Sequence, residues 1–334
     1  HNMNIFITGG AGFIGSSLAD SLLQKGHSVI VIDNLSPYYN PEIKKQNISQ
    51  ALKNPNYKFY LGDIEAPNDL QKIFEQNQID CIVHLAARAG VRPSIESPLA
   101  YAQTNIIGTM NILEAMKQYK IKKMCMASSS SVYGNCQADK FSEDLMIQKP
   151  ISPYAATKSA CEQLCYTYHH LYNLQIYMLR FFTVYGPRQR PDLAINKFAD
   201  RIEKGIAIDM YGDGSSMRDY TYIDDIVTGI QGAINYDQTG YEIFNLGGGS
   251  PITLKEMISA IEKGLNKKAK INQMPMQPGD VDKTISDISK AKKLLGYTPQ
   301  TSFSDGIKKF IAWQKQQNKY TDILQIPQAI GKSR

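Results

Sequence analysis

The chain has 334 residues, 43% of them hydrophobic and 20% charged, with a formal net charge of +6. That composition belongs to a globular α/β protein with room for one large domain or two intimate ones. The lysines are scattered, with the densest group at Lys263, Lys267, Lys268 and Lys270, so the charge reads as a solvated face and neither a nucleic-acid nor a membrane partner is expected.

Short β-rich runs at Asn4–Thr8, Ser28–Asp33, Lys58–Leu61, Cys81–Leu85, Lys123–Ala127 and Gln175–Phe182 are separated by helical patterns. The helices are predicted near Phe13–Lys25, Asn68–Gln76, Pro98–Tyr119 and Tyr154–Tyr172. Apolar strands alternating with helices predict an α/β fold, a doubly wound parallel sheet covered on both faces. After about Gly186 the segments shorten, turns fall at YGDGSS and NLGGGSP, and a last amphipathic helix is expected near Phe303–Gln317. The expected division is a Rossmann-like dinucleotide-binding domain over 3–186, with returns near 220–248, and a smaller mixed α/β substrate-binding region over 187–325. His1 and Asn2, before Met3, are set aside as a cloning remnant.

No apolar run approaches the ~20 residues of a membrane span, and no signal-peptide pattern opens the chain. The five cysteines (Cys81, Cys125, Cys136, Cys161, Cys165) have no metal-ligand spacing, so no metal is expected. Their odd number fits a reducing cytoplasm without disulfides.

The segment NIFITGGAGFIGSSLADSLL is a strand, a glycine turn and a helix. Gly10, Gly12 and Gly15 satisfy G-x-G-x-x-G, and Gly9, Gly12 and Gly15 satisfy the wider T-G-x-x-G-x-x-G. Such a turn lets backbone approach a pyrophosphate at a helix N-terminus, with Phe13 and Ile14 in the first turn. Alone it is equally a tight helix–strand packing device. Its context is more telling: Ser28–Asp33 is a second strand ending in an acid about 20 residues on. Asp33, followed by Asn34, suits ribose hydroxyls and repels a 2′-phosphate, and no arginine follows in NLSPYYNPE. NAD is therefore the expected cofactor.

Tyr154 and Lys158, in SPYAATKSACEQL, lie four apart and so share one face of a helix. A free tyrosine, with pKa near ~10, is a poor base at neutral pH. An ammonium beside it, with the positive nicotinamide of NAD⁺, favours the phenolate that takes a proton from a sugar hydroxyl. By itself Y-x-x-x-K is common on amphipathic helices.

The glycine turn, DIEAPNDL, HLAA, SSSSVYG, Y-x-x-x-K, RFFTVYGPRQRPD, MRDYTYIDDIV, NLGGGSPITL and KAKKLLGY follow one another along almost the whole chain. In that order they resemble the extended short-chain dehydrogenases/reductases, among the nucleotide-sugar epimerases and dehydratases. HLAARAGVRPS and TVYGPRQRPD carry a narrower resemblance to UDP-glucuronate 4-epimerases.

The resemblance implies roles for single residues. Ser129 takes the place of the Ser or Thr that relays a proton to Tyr154. Ser130 and Ser131 fall where related dehydratases carry an Asp-Glu pair; here Ser130 is expected to face the substrate. Elimination of water needs an acid and a base at those places, so hydride removal and return is what remains. Ser128 is expected near the nicotinamide, with a structural part only. Asp63 and Ile64 belong near the adenine, and Leu85, Ala86 and Ala87 near the pyrophosphate and nicotinamide ribose. Arg88 falls where a relative has a ribose-binding lysine, Asn105 on a cofactor-side asparagine or a plain helix hydrogen bond, and Tyr185 beside the nicotinamide. Arg218 matches a diphosphate-binding arginine, Tyr211 the uracil neighbour and Asp280 a contact to the uridine ribose; a surface salt bridge between Arg218 and Asp280 is the plainer alternative.

Thr183 and Arg190 carry the substrate reading. Epimerases of UDP-glucose commonly have asparagine at the Thr183 place, and a guanidinium grips a carboxylate bidentately. Arg92 is expected to assist, and Arg188 competes with Arg190 for the clamp. The expected activity is 4-epimerisation of UDP-glucuronate to UDP-galacturonate by a homodimer, joined through the helices near Pro98–Tyr119 and Tyr154–Tyr172. An epimerase of UDP-glucose or UDP-N-acetylglucosamine, and a non-catalytic NAD-binding regulator, are the alternatives.

Overall fold

The computed structural model describes residues 2–277 and 283–324, the last six as backbone only. In chain order the first half comprises β1 (Asn4–Thr8), α1 (Phe13–Gln24), β2 (Ser28–Asp33), α2 (Pro41–Asn47), β3 (Tyr57–Leu61), α3 (Pro67–Gln76), β4 (Cys81–His84), α4 (Val91–Glu96), α5 (Pro98–Tyr101), α6 (Gly108–Tyr119), β5 (Lys123–Ser129), α7 (Pro153–Tyr172) and β6 (Gln175–Phe181). The second half comprises β7 (Val184–Tyr185), α8 (Ala194–Glu203), β8 (Ile208–Tyr211), β9 (Met217–Asp219), β10 (Thr221–Tyr222), α9 (Ile223–Asn235), β11 (Tyr241–Leu246), β12 (Pro251–Thr253), α10 (Leu254–Leu265), β13 (Ile271–Met274), α11 (Ser289–Leu295) and α12 (Phe303–Leu324).

Seven strands form one parallel sheet in the order β11-β6-β5-β4-β1-β2-β3. The chain runs outward from β1 to β3, then crosses to β4 and continues the other way. Between β1 and β4 the order reverses, and in doubly wound sheets the cleft beyond the strand ends at such a point is where ligands bind. The inner strands are apolar on both faces because helices cover both: Ile5, Phe6, Ile7, Val29, Val31, Ile82 and Val83 are buried. Each such side chain contributes about 1.5–3 kcal/mol of transfer free energy. One apolar cluster joins the α1 face to the C-terminal helices, and a second lies under α3, α6 and α7.

All six predicted strands are present, within one or two residues at each end. The seventh, β11, pairs in parallel with β6 from Tyr241↔Ile176 to Leu246↔Phe181, so residues after 220 return to the main sheet. The helix expected as one piece over Pro98–Tyr119 is three: α5, a wider turn over Ala102–Ile107, and α6. The remaining small sheets pair β10 with β7, β12 with β9 and β13 with β8. Among the described residues, no helix is long and apolar enough to cross a membrane.

Candidate active site

A cavity of about 640 Å³ opens at the carboxyl ends of the parallel strands. Its floor begins at the glycine turn. Gly9 has φ +69°, a left-handed conformation that favours glycine, and its N–H donates to the Ile32 carbonyl at 2.9 Å. A Cβ on Gly15 would lie 2.4 Å from the Gly9 carbonyl oxygen, so only glycine lets α1 sit this close to β1. Gly12 is different, because its Cβ would meet only the Gly9 oxygen, at 3.3 Å. Gly12 also caps α1 without any side-chain hydrogen bond, so the first-turn N–H groups remain for an incoming anion. This bare helix start, beside a cradle that a methyl group would fill, fits a dinucleotide pyrophosphate.

At the end of β2, Asp33 is buried and accepts hydrogen bonds from the Ala11 N–H at 3.1 Å and the Leu35 N–H at 2.9 Å. Lys44 of α2 pairs with it at 3.3 Å and also lines the cavity. Asn34, Asp63 and Ile64 line the same end, and Leu85, Ala86, Ala87 and Arg88 form the opposite wall.

That wall is held from behind. The Thr8 hydroxyl accepts the N–H groups of Leu85 and Ala86, both at 3.0 Å, and so directs its proton to His84 Nδ1 at 2.6 Å. The Thr109 hydroxyl donates to the Asn105 carbonyl at 2.6 Å, which leaves it to accept from His84 Nε2 at 2.9 Å. His84 is thus a neutral Nε2–H imidazole; burial, then the nearby Lys158 charge, pushes its pKa down to about 3. The Asn105 side-chain oxygen accepts the Arg88 N–H at 2.8 Å, and its amide donates to the Arg88 carbonyl and to Thr157, both at 3.1 Å. Asn105 is buried and absent from the cavity lining, and these bonds brace the Arg88 loop against α7. It lies in the wider turn that interrupts the predicted helix.

The chemical end is built by β5 and α7. Ser152 caps α7 by accepting the Ala155 N–H at 3.0 Å, and Pro153 takes the first helical position. Tyr154 is therefore fixed in the first turn, where its N–H donates to Ser94 Oγ at 3.0 Å. Lys158, one turn on and buried, holds its Nζ 6.0 Å from the Tyr154 ring centroid and donates to the Ala127 carbonyl at 3.0 Å. Ser129, Tyr154 and Lys158 face one cavity, as their spacing predicts. Ser129 Oγ accepts from the Ser131 N–H at 3.1 Å and is 2.9 Å from Ser131 Oγ. Ser130 begins the short turn Ser130–Tyr133 and is not in the cavity wall. Ser128 also lines the cavity, but its hydroxyl is turned to Glu162, to which it donates a buried hydrogen bond at 2.6 Å.

Thr183 and Arg190 line the same cavity. The Arg190 guanidinium is 3.3 Å from Asp192 and its Cζ is 5.8 Å from the Tyr38 ring centroid. Arg188, in contrast, has φ +74° and pairs with Asp20 on α1 at 2.8 Å. Arg92 is exposed on α4 and outside the cavity lining.

Tyr185 requires correction. Its ring is buried against Tyr220, Tyr222 and Phe303, not in the cavity. The small strand β7 turns this side chain towards α12, where it fills the space above Gly306. Tyr211 and Arg218 lie on β8 and β9, outside the cavity wall, and Arg218 donates to its neighbour's carbonyl, Met217 O, at 2.9 Å. Asp280 lies outside the described residues; the chain resumes beside β9, where the Thr284 N–H donates to the Met217 carbonyl at 3.1 Å. Among the wall residues that escaped the sequence reading are Lys44, Tyr38 and Tyr101, whose ring meets Tyr154 edge-on at 6.4 Å. Aromatic interruptions in NLSPYYNPE were the available signal for Tyr38; nothing local marks Tyr101.

A family described as GDP-mannose 4,6-dehydratase matches residues 6–310. The chain belongs to that family, within the extended short-chain dehydrogenases/reductases. It is 46% identical to a UDP-glucuronate 4-epimerase of Thermodesulfobacterium geofontis over 93% of this chain and 95% of that protein. Among solved structures it is similar to the UDP-glucuronic acid 4-epimerase of Bacillus cereus in complex with UDP-glucuronic acid and NAD. That match has 38% identity and TM-score 0.88, covering 94% of this chain and 100% of the other. A UDP-glucose 4-epimerase of Thermotoga maritima with UDP-glucose is similar at 33% identity and TM-score 0.87, covering 95% and 100%. The family's dehydratase name does not extend to the Ser129 turn of this chain. The acids lining the cavity are Asp33, Asp63, Glu65 and Glu96, and none comes from Ser130–Tyr133.

Proposed function

We propose that this protein is an NAD-dependent isomerase that converts UDP-glucuronate to UDP-galacturonate through a 4-keto sugar. The observation that carries this reading is the placement of Thr183 and Arg190 in one cavity with Ser129, Tyr154 and Lys158. NAD, when bound, accepts the C4 hydride and gives it back. The protein's part begins with Tyr154, which takes the 4-hydroxyl proton by way of Ser129, while the Lys158 charge stabilises the phenolate. The 4-keto sugar turns about its diphosphate linkage and offers its other face. Tyr154 then returns the proton to the new 4-hydroxyl. Thr183 and Arg190 hold the carboxylate throughout.

Gly9, Gly12, Phe13, Ile14 and Gly15 hold the pyrophosphate in this reading, Asp33 and Asn34 the adenosine ribose, and Asp63 and Ile64 the adenine. Leu85, Ala86, Ala87 and Arg88 flank the nicotinamide ribose. Residues 3–186, with the returns α9 and β11, form the NAD half; 187–325 hold the nucleotide sugar, with Arg218 on the diphosphate, Tyr211 near the uracil and Asp280 on the uridine ribose. The enzyme acts as a homodimer. Leu99, at 85% exposure, and the exposed Ile107, Tyr166 and Tyr172 on α5 to α7 form the apolar face that a second copy covers. The five unpaired thiols, four of them buried, fit a reducing cytoplasm.

Incubation with UDP-glucuronate, without added reductant, followed by proton NMR of the products, tests the reaction. UDP-galacturonate as main product is the expected result. UDP-pentose products overturn the carboxylate clamp, and turnover of neutral UDP-hexoses alone overturns the substrate.

Gly12→Ala probes the cofactor half. Its Cβ would press only on the Gly9 carbonyl oxygen, at 3.3 Å, and stands in the pyrophosphate's approach, so the variant should fold, melt at or slightly below the parent, and bind NAD about ten-fold or more weaker. Nucleotide released on denaturation, measured by absorbance at 260 nm after chromatography, checks this. Full NAD content in the variant would remove the turn from the pyrophosphate site.

A further inference from the structure

We infer that Ser128 is a positioning residue for the proposed reaction, acting through a buried knot with Glu162 and Arg180 that fixes Ser129 against Tyr154. The inference rests on the reaction assigned above and concerns a cavity-lining residue whose hydroxyl is turned to Glu162 and takes no part in that chemistry. Two adjacent ties join the end of β5 to one face of α7. The Lys158 ammonium donates to the Ala127 carbonyl at 3.0 Å, and the Ser128 hydroxyl donates to Glu162 Oε2 at 2.6 Å, one helical turn further on. Ser129 is the next residue, so these two ties set its distance from Tyr154 on the same helix. Arg180, paired with Ser128 across β5 and β6, closes the knot. Its Nε and Nη2 donate to the two Glu162 oxygens at 2.9 and 2.7 Å, and its Nη1 donates to the Tyr133 hydroxyl at 2.9 Å. Tyr133, which ends the turn beginning at Ser130, passes its own proton to Asn245 of β11 at 2.7 Å.

The Glu162 and Arg180 side chains are 9% and 3% exposed. Two charges so buried add little net stability over an apolar filling, whereas they fix geometry tightly. Here they fix three strands, the catalytic helix and the serine turn at one point, directly behind the cavity.

Ser128→Ala tests the inference, since it deletes one hydroxyl and leaves the ion pair intact. The variant loses one buried bond to a carboxylate and should melt a few degrees lower at most, keeping its NAD content and its KM, while kcat falls on the order of ten-fold. Amide hydrogen exchange over residues 129–133 should quicken. A kcat within about two-fold of the parent, with unchanged exchange, overturns the inference. So does a kcat loss matched by lost NAD and a melting temperature lowered by about ten degrees or more, because the knot would then serve stability alone. Parent and variant are assayed together on UDP-glucuronate, UDP-glucose and UDP-N-acetylglucosamine. A parent acting only on a neutral sugar overturns the substrate reading but leaves the variant-to-parent ratio to decide the role of Ser128. If the parent turns over none of them, the reaction reading falls and the exchange rates decide.

Discussion

Tyr154→Phe should lower kcat by about 10²–10⁴, the usual contribution of a positioned acid–base group, with the affinity for the UDP-sugar unchanged. The substitution removes a single oxygen. The ring remains edge-on to Tyr101, and the backbone N–H keeps its bond to Ser94, so α7 should start where it does in the parent. Lys158 is a poorer target, because it is buried and also ties α7 to the Ala127 carbonyl, and its loss would mix charge with geometry. Titration calorimetry with UDP-glucuronate separates binding from chemistry, and NMR of the products gives the rate. Because the phenolic oxygen is needed in both the oxidation and the return, neither UDP-galacturonate nor reduced cofactor should accumulate. A variant within about ten-fold of the parent would assign the proton to another group, and Ser129 acting through water would be the first to examine.

The geometry that makes this prediction sharp was partly legible from residue spacing. Tyr154 and Lys158 share a face because a helix repeats every 3.6 residues, and the glycine turn with Asp33 encodes a strand, a helix start and a second strand end. Both are local features. What escaped was set by distant partners. β7 and β10 are two residues each and exist because Val184 meets Thr221; β8 is ordered by Ile271, more than sixty residues on. The edge strand β11 is half-exposed at its start, so YEIFNL lacks the continuous apolar run of an inner strand. The break before α6 has a similar origin. Helical periodicity carries through Ala102–Ile107, but the wider turn lets Asn105 reach back to Arg88, a demand that no local pattern announces. Tyr185 shows the reverse error: a motif neighbour was taken for a wall residue, while the backbone turned its ring into the core. Lys44 was invisible because α2 brings it to Asp33 only after folding.

Substrate choice turns on the same kind of contact, and Arg190→Ala should change the products as well as the rate. The Arg190 side chain is at the cavity wall, with its nearest carboxylate, Asp192, at 3.3 Å, so a substrate carboxylate can compete for it. Losing a charge-assisted, two-pronged contact of this kind costs about 2–5 kcal/mol, and KM should rise by roughly 30-fold or more. The second effect follows from organic chemistry. Once C4 is a ketone, the C5 carboxylate belongs to a β-keto acid. The C5–C6 bond breaks when it aligns with the ketone π system, carbon dioxide leaves, and the enolate takes a proton at C5. Held by Thr183 and Arg190, the carboxylate keeps that bond out of line. Freed in the variant, it should raise the ratio of UDP-pentose products to UDP-galacturonate, read by NMR and by carbon dioxide release. Arg188→Ala is the matched control. Arg188 is committed to Asp20 in a left-handed turn, so its loss should loosen the loop and leave the product ratio unchanged. A ratio that rises in Arg188→Ala and not in Arg190→Ala would exchange the two roles, and a ratio fixed in both would place the carboxylate elsewhere in the cavity.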